Sequence, residues 1–432
     1  MSLTTAVKAY QWLLDAARVE SRPRSRFVVV SDPAAARSVP RVGRRRGRAR
    51  NVTIGALAME IVADARGNPR FPFGAALPGP DLLPQKALAR IIKSVASSEP
   101  TVLSCYASTE GDAGLRSQIA RLLRGSGIRV RPDEVLITNG CMEAIVLALR
   151  ALLRPGDTLA VESPTYYGIL LAADRLGLKL LELPTDAREG LDLDALAAAL
   201  EGGEIHACLS MPSFSNPLGS SMPTTSRARL VEMLRKAEVP LIEDDIYGDL
   251  SFRATRRVAA KSFDREGGVM YCSSFSKTIA PGFRLGYVLP GRHFDALVQQ
   301  KFSANIATGA LPQRAMAELL RRGLYPPTLR HAASIYEQRI QRIRHLVLRD
   351  FPQGTRVSRP TGGFVLWVEL PRQIDAMQLY SRARSRGITI SPGAIFSPRG
   401  HYRHHFRLSA GAASVDALTE PIATLASLAK GG

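Results

Sequence analysis

The chain has 432 residues, 45% of them apolar and 22% charged, and carries a formal net charge of +20. That length exceeds one ordinary core and predicts two or three domains, and the composition is that of a soluble globular protein. No apolar run approaches the roughly 20 residues that span a bilayer, and the N-terminus lacks the basic-then-apolar order of a signal peptide. Four cysteines (Cys105, Cys141, Cys208, Cys272) are scattered without metal-like spacing, so reduced thiols in a cytoplasmic protein are expected.

The charge is uneven. Residues 1–50 hold 12 Lys/Arg against 3 Asp/Glu, so +9 of the excess lies there. A basic end is an electrostatic footprint for nucleic acid, and an arginine-rich coding bias is the alternative. Leu3, Val7, Tyr10 and Leu14 recur at helical spacing behind Ser2, a good N-cap. Residues 19–29 then read as a short hairpin with a basic tip. A polar-started helix followed by a basic β-wing resembles the second half of a GntR-type winged helix-turn-helix. By that resemblance Ser2, Thr4 and Thr5 would face base edges, and Arg22, Arg24 and Arg26 would face phosphates. Two further helices would precede this one in such a module, and the sequence begins at Met1, so a partial module is expected over residues 1–30, through either a start codon assigned too late or a truncated domain. The alternative is an N-terminal helix that packs on the body. Residues 31–50, with Arg44-Arg45-Arg46, Arg48 and Arg50, read as a charged linker that is either a solvated tether or a source of extra phosphate affinity.

From Asn51 the composition becomes globular. Phe71 to Pro80 is extended and turn-rich, and a helix is expected from about Leu83-Pro84. After Arg131-Pro132 the pattern alternates. Strands are expected over residues 135–138, 158–162, 179–183, 206–211, 240–243 and 269–273, with helices over 143–153, 167–176, 193–200 and 226–237. Such alternation predicts a mainly parallel sheet with helices on both faces and ligands at the carboxyl ends of the strands.

Polar motifs fall at those ends. Thr138-Asn139-Gly140-Cys141-Met142-Glu143 opens a helix, an anion site if its amides are free and an ordinary turn otherwise. Glu162-Ser163-Pro164-Thr165-Tyr166 offers an aromatic face for a planar ring, or a core tyrosine. In Pro212-Ser213-Phe214-Ser215-Asn216-Pro217-Leu218-Gly219, Asn216 can hydrogen-bond a phenolate oxygen, although N-P-x-G is also an everyday turn. Glu243-Asp244-Asp245 ends a hydrophobic strand, where carboxylates are costly unless a cation or an N–H meets them. A metal site or a solvated loop would also accommodate them.

The stretch Tyr271-Cys272-Ser273-Ser274-Phe275-Ser276-Lys277 is a strand leading to a single lysine, and Pro281-Gly282-Phe283-Arg284 leads into a returning strand. Burial would lower the lysine pKa toward a usable amine nucleophile. The Ser274 and Ser276 hydroxyls with Arg284 suit a phosphate dianion. Amine plus phosphate site suggests pyridoxal phosphate (PLP), against the plainer alternative of a surface lysine in a serine-rich turn.

Taken in order, N-P-x-G, D-D-x-Y and S-x-S-K-x-x-x-P-G-x-R-x-G closely resemble the fold-type I PLP-dependent enzymes, specifically the class I/II aminotransferases, from about Val52 onward. The resemblance implies an α/β aspartate aminotransferase-like fold, with a large mainly parallel sheet domain and a smaller α+β domain. It divides the body into residues 51–100 (N-terminal part of the small domain and substrate loop), 101–320 (large domain) and 321–432 (small C-terminal domain). It further implies that Lys277 carries the cofactor, Asp244 faces the ring nitrogen, Tyr247 and Asn216 contact the ring oxygen, and Tyr166 stacks on the ring. Ser274, Ser276, Arg284 and the amides of Gly140, Cys141 and Met142 would hold the phosphate. Tyr106 would be lent to the partner's phosphate in a homodimer, and Arg407, with Asn216 and Ala76, would bind the substrate α-carboxylate. His401, His404 and His405 lack an accompanying cluster, and no metal is expected. A partial winged helix, a basic linker and an aminotransferase-like body together resemble the MocR subgroup of GntR regulators. That likeness implies transcription control in response to PLP or an amino compound, and a free-standing aminotransferase is the alternative.

Overall fold

The computed structural model describes residues 55–66, 70–253, 258–411 and 414–431, together with residues 6, 19–22, 26–29, 39 and 40. Strands β1 (Val19–Arg22) and β2 (Arg26–Val29) form an antiparallel hairpin with Arg22 opposite Arg26. The recognition helix with Ser2, Thr4 and Thr5, the hairpin tip with Arg24, and the arginine run of the linker lie outside the described residues.

A helix over Gly55–Arg66 precedes β3 (Phe71–Pro72). The main sheet collects β4 (Leu136–Thr138), β5 (Thr158–Ser163), β6 (Lys179–Asp186), β7 (Gly190–Leu191), β8 (Ala207–Ser210), β9 (Leu241–Asp244), β10 (Val269–Ser274) and β11 (Gly286–Leu289). Its order is β4-β11-β10-β9-β8-β5-β6-β7. The strands β5, β6, β8, β9 and β10 run parallel, and β11 is antiparallel to both of its neighbours. Each expected strand of the alternating pattern is present, within a few residues at its ends.

The sheet is buried on both faces, and side chains divide between them with period two. Leu136, Ile242, Met270 and Cys272 pack under the helix Cys141–Leu152, whereas Ile137, Tyr271 and Tyr287 pack on the opposite face. A strand covered on both sides reads as an unbroken apolar run, which is why periodicity alone did not separate its faces.

A second sheet holds β12 (Arg356–Val357), β13 (Val365–Glu369), β15 (Ser391–Pro392) and β16 (His405–Ser409), and β14 (Ile388–Thr389) pairs in parallel with β3. The helix Tyr325–Asp350 and the helix Thr419–Lys430 cover it, burying Tyr336, Ile340, Ile343, Leu346, Ile422 and Leu425 in one cluster with Trp367. β3 joins the second unit, whereas Leu88, Ile91 and Val95 of the helix Gln85–Ser98 pack with Ile137 and Tyr271 against the main sheet. Among the described residues no helix is long and apolar enough to cross a membrane.

Candidate active site

The carboxyl ends of β4, β8, β9 and β10 open on one cavity of about 570 Å³. Register explains the convergence. Cys272 lies opposite Asp244 across β10 and β9, and Gly286 lies between Ser274 and Thr138. The turns after these strands therefore meet at one edge of the sheet. Asp244, Lys277, Ser274, Ser276, Arg284, Asn216, Tyr166, Tyr247, Cys141, Met142 and Ala76, all singled out in the sequence, line it.

Three acids at the end of β9 are met in three ways. Glu243 accepts the Ala260 and Lys261 amides at 2.9 and 2.7 Å. Asp245 accepts the Tyr271 hydroxyl at 2.6 Å. Asp244 accepts only weaker donors, the Ile246 amide at 3.2 Å and the Cys141 thiol at 3.5 Å. Burial pushes the Asp244 carboxyl up to about 7, because desolvation disfavours the charged form. Such a carboxylate suits a cationic ring nitrogen.

Lys277 lies across the same space. Its Nζ donates to the Ala76 carbonyl at 2.7 Å. Burial, helped by the Arg407 and Arg284 guanidiniums, lowers its pKa to about 8. Roughly a tenth is then the free amine at pH 7, far more than for an ordinary lysine.

The other end of the cavity is built for an anion. The helix Cys141–Leu152 begins after Gly140 with no side-chain cap, so its first amides remain open. Arg284 Nη1 donates to Ser276 Oγ at 3.2 Å, and the Ser276 amide donates to Ser274 Oγ at 3.2 Å. Gly140 has φ +88°, and a Cβ there would lie 2.6 Å from Arg284 Nη2. Gly286 is equally constrained, since its Cβ would meet the Gly140 carbonyl carbon at 2.5 Å. Gly286 is the last glycine of the S-x-S-K-x-x-x-P-G-x-R-x-G motif, and the cross-strand register gives the reason it lacks a side chain.

Arg407 is fully buried. Its Nη1 donates to Asn216 Oδ1 at 2.9 Å, and its Nη2 donates to Ser391 Oγ at 3.2 Å and to the Gly74 carbonyl. The guanidinium carbon stands 5.2 Å from the centre of the Phe396 ring, and Nε has no hydrogen-bond partner among the described residues. A buried fork held by neutral acceptors has an unmet charge, which an incoming carboxylate would satisfy. Burial also pushes the Tyr166 and Tyr247 hydroxyls up, keeping both neutral. Tyr106 is the outlier: it is 87% exposed and stands away from its own chain's cavity.

Arg227 and Ile61 were not foreseen, whereas Tyr167, next to Tyr166 in the aromatic stretch, also lines the cavity. Arg227 is fully buried and fastens the loop that carries Asn216, through the Pro212 and Met222 carbonyls at 2.7 and 3.0 Å and Ser213 Oγ at 3.0 Å.

The model of the aminotransferase class I and II family matches residues 79–424. The chain belongs to that family. It is 35% identical over 409 residues, covering 95% of this chain and 87% of the relative, to the uncharacterized HTH-type transcriptional regulator YdcR of Escherichia coli (strain K12). It is 33% identical over 363 residues, covering 83% of this chain and 90% of the relative, to the 2-aminoadipate transaminase of Thermus thermophilus. Among solved structures, the α-aminoadipate aminotransferase LysN of Thermus thermophilus superposes with a TM-score of 0.81 at 31% identity, covering 88% of this chain and 97% of that one. The fold is the aspartate aminotransferase-like one, and the family's cofactor is PLP. The cavity fits that group on its own terms. It offers a primary amine, a buried carboxylate without a cationic partner, and an anion cradle at the far end that a Cβ on Gly140 would fill.

Proposed function

We propose that this chain is a PLP-binding, aminotransferase-like regulator of the MocR type, which controls transcription in response to PLP or an amino compound. The observation that carries the reading is the placement of Lys277 and Asp244 in one cavity that ends in an anion cradle. The relatives named as HTH-type regulators, matched over 95% of this chain, support the regulatory half. The basic residues 1–50 and the hairpin with Arg22 and Arg26 are the surface assigned to DNA, with phosphates neutralised by arginine.

In this reading Lys277 anchors the cofactor, Asp244 keeps its ring nitrogen protonated, and Tyr166 covers a ring face. Tyr247 and Asn216 meet the ring oxygen. Arg284, Ser274, Ser276 and the amides of residues 140–142 hold the phosphate. Bound PLP supplies an aldehyde for an incoming amine and a ring that accepts electrons when an α-proton departs. Lys277, depressed to about 8, is positioned to take that proton as a free amine. Arg407 exchanges the Gly74 carbonyl for the ligand carboxylate, and Lys277 releases the Ala76 carbonyl. Both carbonyls belong to the segment that follows β3, so ligand and cofactor would compete for the same stretch of backbone.

Exposed Leu103, Tyr106, Phe302 and Ile306 suit a homodimer in which Tyr106 serves the partner's site. The domain division also belongs to the proposal, with β3 and β14 tying the N-terminal segment to the C-terminal unit.

A second reading, a free-standing aminotransferase, is favoured by the complete set Lys277, Asp244 and Arg407. An absorbance spectrum of the PLP-loaded protein tests both. Lys277→Ala is expected to abolish the visible band of the lysine-bound cofactor, and an unchanged spectrum would remove Lys277 from its role. Turnover of an amino acid with a 2-oxo acid would favour the enzyme. Ligand-dependent retardation of promoter DNA without turnover would favour the regulator.

A further inference from the structure

The charges in the cavity can be accounted for one by one. Lys277, Arg284 and Asp244 line it and Arg407 bonds Asn216 of its lining at 2.9 Å, and the function proposed above uses all four. What remains is the wall facing the ligand's side chain. Ile61, Ala76, Leu77, Tyr167 and Ile246 form it, and none is ionic near neutral pH.

Core packing holds the wall on its Ile61 side, and Leu77, 43% exposed, stands at its rim. Ile61 is buried at 1% exposure and packs in one cluster with Phe73, Ala76, Tyr167 and Leu171. The two ionic groups of the same helix whose side chains are described, Glu60 and Asp64, are engaged away from the wall. Asp64 pairs with Arg384 at 2.8 Å and accepts the Tyr380 hydroxyl, and Glu60 is exposed. Among the described residues of this wall, therefore, no cation awaits a second ligand carboxylate and no carboxylate awaits a ligand ammonium.

From this we infer that the amino compound recognised here is an α-amino acid with an uncharged, apolar side chain, selected by the Ile61–Ala76–Leu77–Tyr167 wall. The inference rests on the function proposed above and names its ligand class. An acidic or basic side chain placed against this wall would lose hydration and gain no counter-charge. An apolar one would gain burial at every added methylene.

The test uses the full chain loaded with PLP, titrated separately with L-leucine, L-methionine, L-phenylalanine, L-glutamate, L-2-aminoadipate and L-lysine. Affinity is read from the cofactor absorbance and, independently, from the rise in melting temperature. The apolar series should bind about 100-fold or more tighter than the charged series. Glutamate, 2-aminoadipate or lysine binding as tightly as leucine would overturn the inference while leaving the PLP site standing. Silence from the whole panel would instead overturn the amino-compound response in the function proposed above, and this ligand class with it.

Ile61→Arg should shrink the leucine-to-glutamate preference about tenfold or more, and Ile61→Ala should shift preference from leucine toward phenylalanine. Both variants are compared at equal cofactor occupancy, so a misfolded protein shows itself by failing to retain PLP. An unaltered preference in two variants that do retain it would sink the assignment of the wall.

Discussion

At the scale of single residues, two groups have pKa values displaced toward neutrality from opposite sides. Asp244 rises to about 7 through burial. Between roughly pH 4, its ordinary value, and 7 the folded chain holds a proton that the unfolded chain has lost. Stability without cofactor should then fall as pH rises through that window, and the cost of the buried charge is complete above it. Asp244→Asn is expected to raise the melting temperature of the cofactor-free protein at pH 8, by on the order of 1–3 kcal/mol of stability, and to leave it nearly unchanged at pH 4. The same substitution should weaken PLP retention, and a uniform loss of stability at every pH would contradict the assignment. Lys277, lowered to about 8, should capture PLP at a rate that climbs with pH and levels off above about 8. Stopped-flow absorbance across pH 6–10 (a range of about four units) would show it, and a midpoint near the ordinary lysine value of about 10.4 would refute it. Both residues were legible in the sequence because each ends an apolar strand on a polar motif. Ile61 was not, because nothing local marks one buried isoleucine on a helix as the neighbour of a distant loop.

Between elements, close approach does the positioning. β11 brings Gly286 against Gly140, and Arg284 folds over Gly140 so tightly that a Cβ would stand 2.6 Å from its guanidinium. Gly140→Ala should lower PLP affinity about tenfold or more, through its left-handed φ as well as through the displaced Arg284. Equilibrium dialysis measures this, and wild-type retention would discount the cradle. The loop over residues 212–222 depends on the helix Thr224–Lys236, whose Arg227 reaches back to the Pro212 and Met222 carbonyls. Arg227→Met would strand those acceptors and should cost on the order of 3 kcal/mol. In the fraction that folds, amino-acid affinity should fall more than PLP retention, because Asn216 steers Arg407 whereas Lys277 stands in the turn after β10. Equal losses of both would make Arg227 merely structural. The helices and strands themselves were legible from periodicity. These contacts were not, since each joins turns that follow different strands.

Over the whole molecule, one segment connects the site to the rest of the chain. Residues 74–77 touch Lys277 and Arg407 through two carbonyls, while β3 just before them pairs with β14. Ligand capture that frees those carbonyls should alter amide exchange across residues 70–83, and identical exchange with and without ligand would count against the competition proposed above. The +9 concentrated in residues 1–50 belongs at this scale too. Replacing Arg44, Arg45 and Arg46 with alanine should weaken non-specific DNA binding and flatten its salt dependence by up to about three phosphate contacts. Filter binding across a salt series would reveal it, and an unchanged slope would leave the linker a plain tether.

The order of motifs along the chain was enough to determine the family, the cofactor and the α/β alternation, because strand ends, helix starts and an anchoring lysine are written in adjacent residues. Tertiary structure decided which carboxylate of three meets the weakest donors, that Gly286 must lack a side chain, and that the wall around Ile61 is apolar. Those properties arise from register and burial, which bring together residues as far apart as Gly74 and Arg407, and no local pattern encodes distances of that kind.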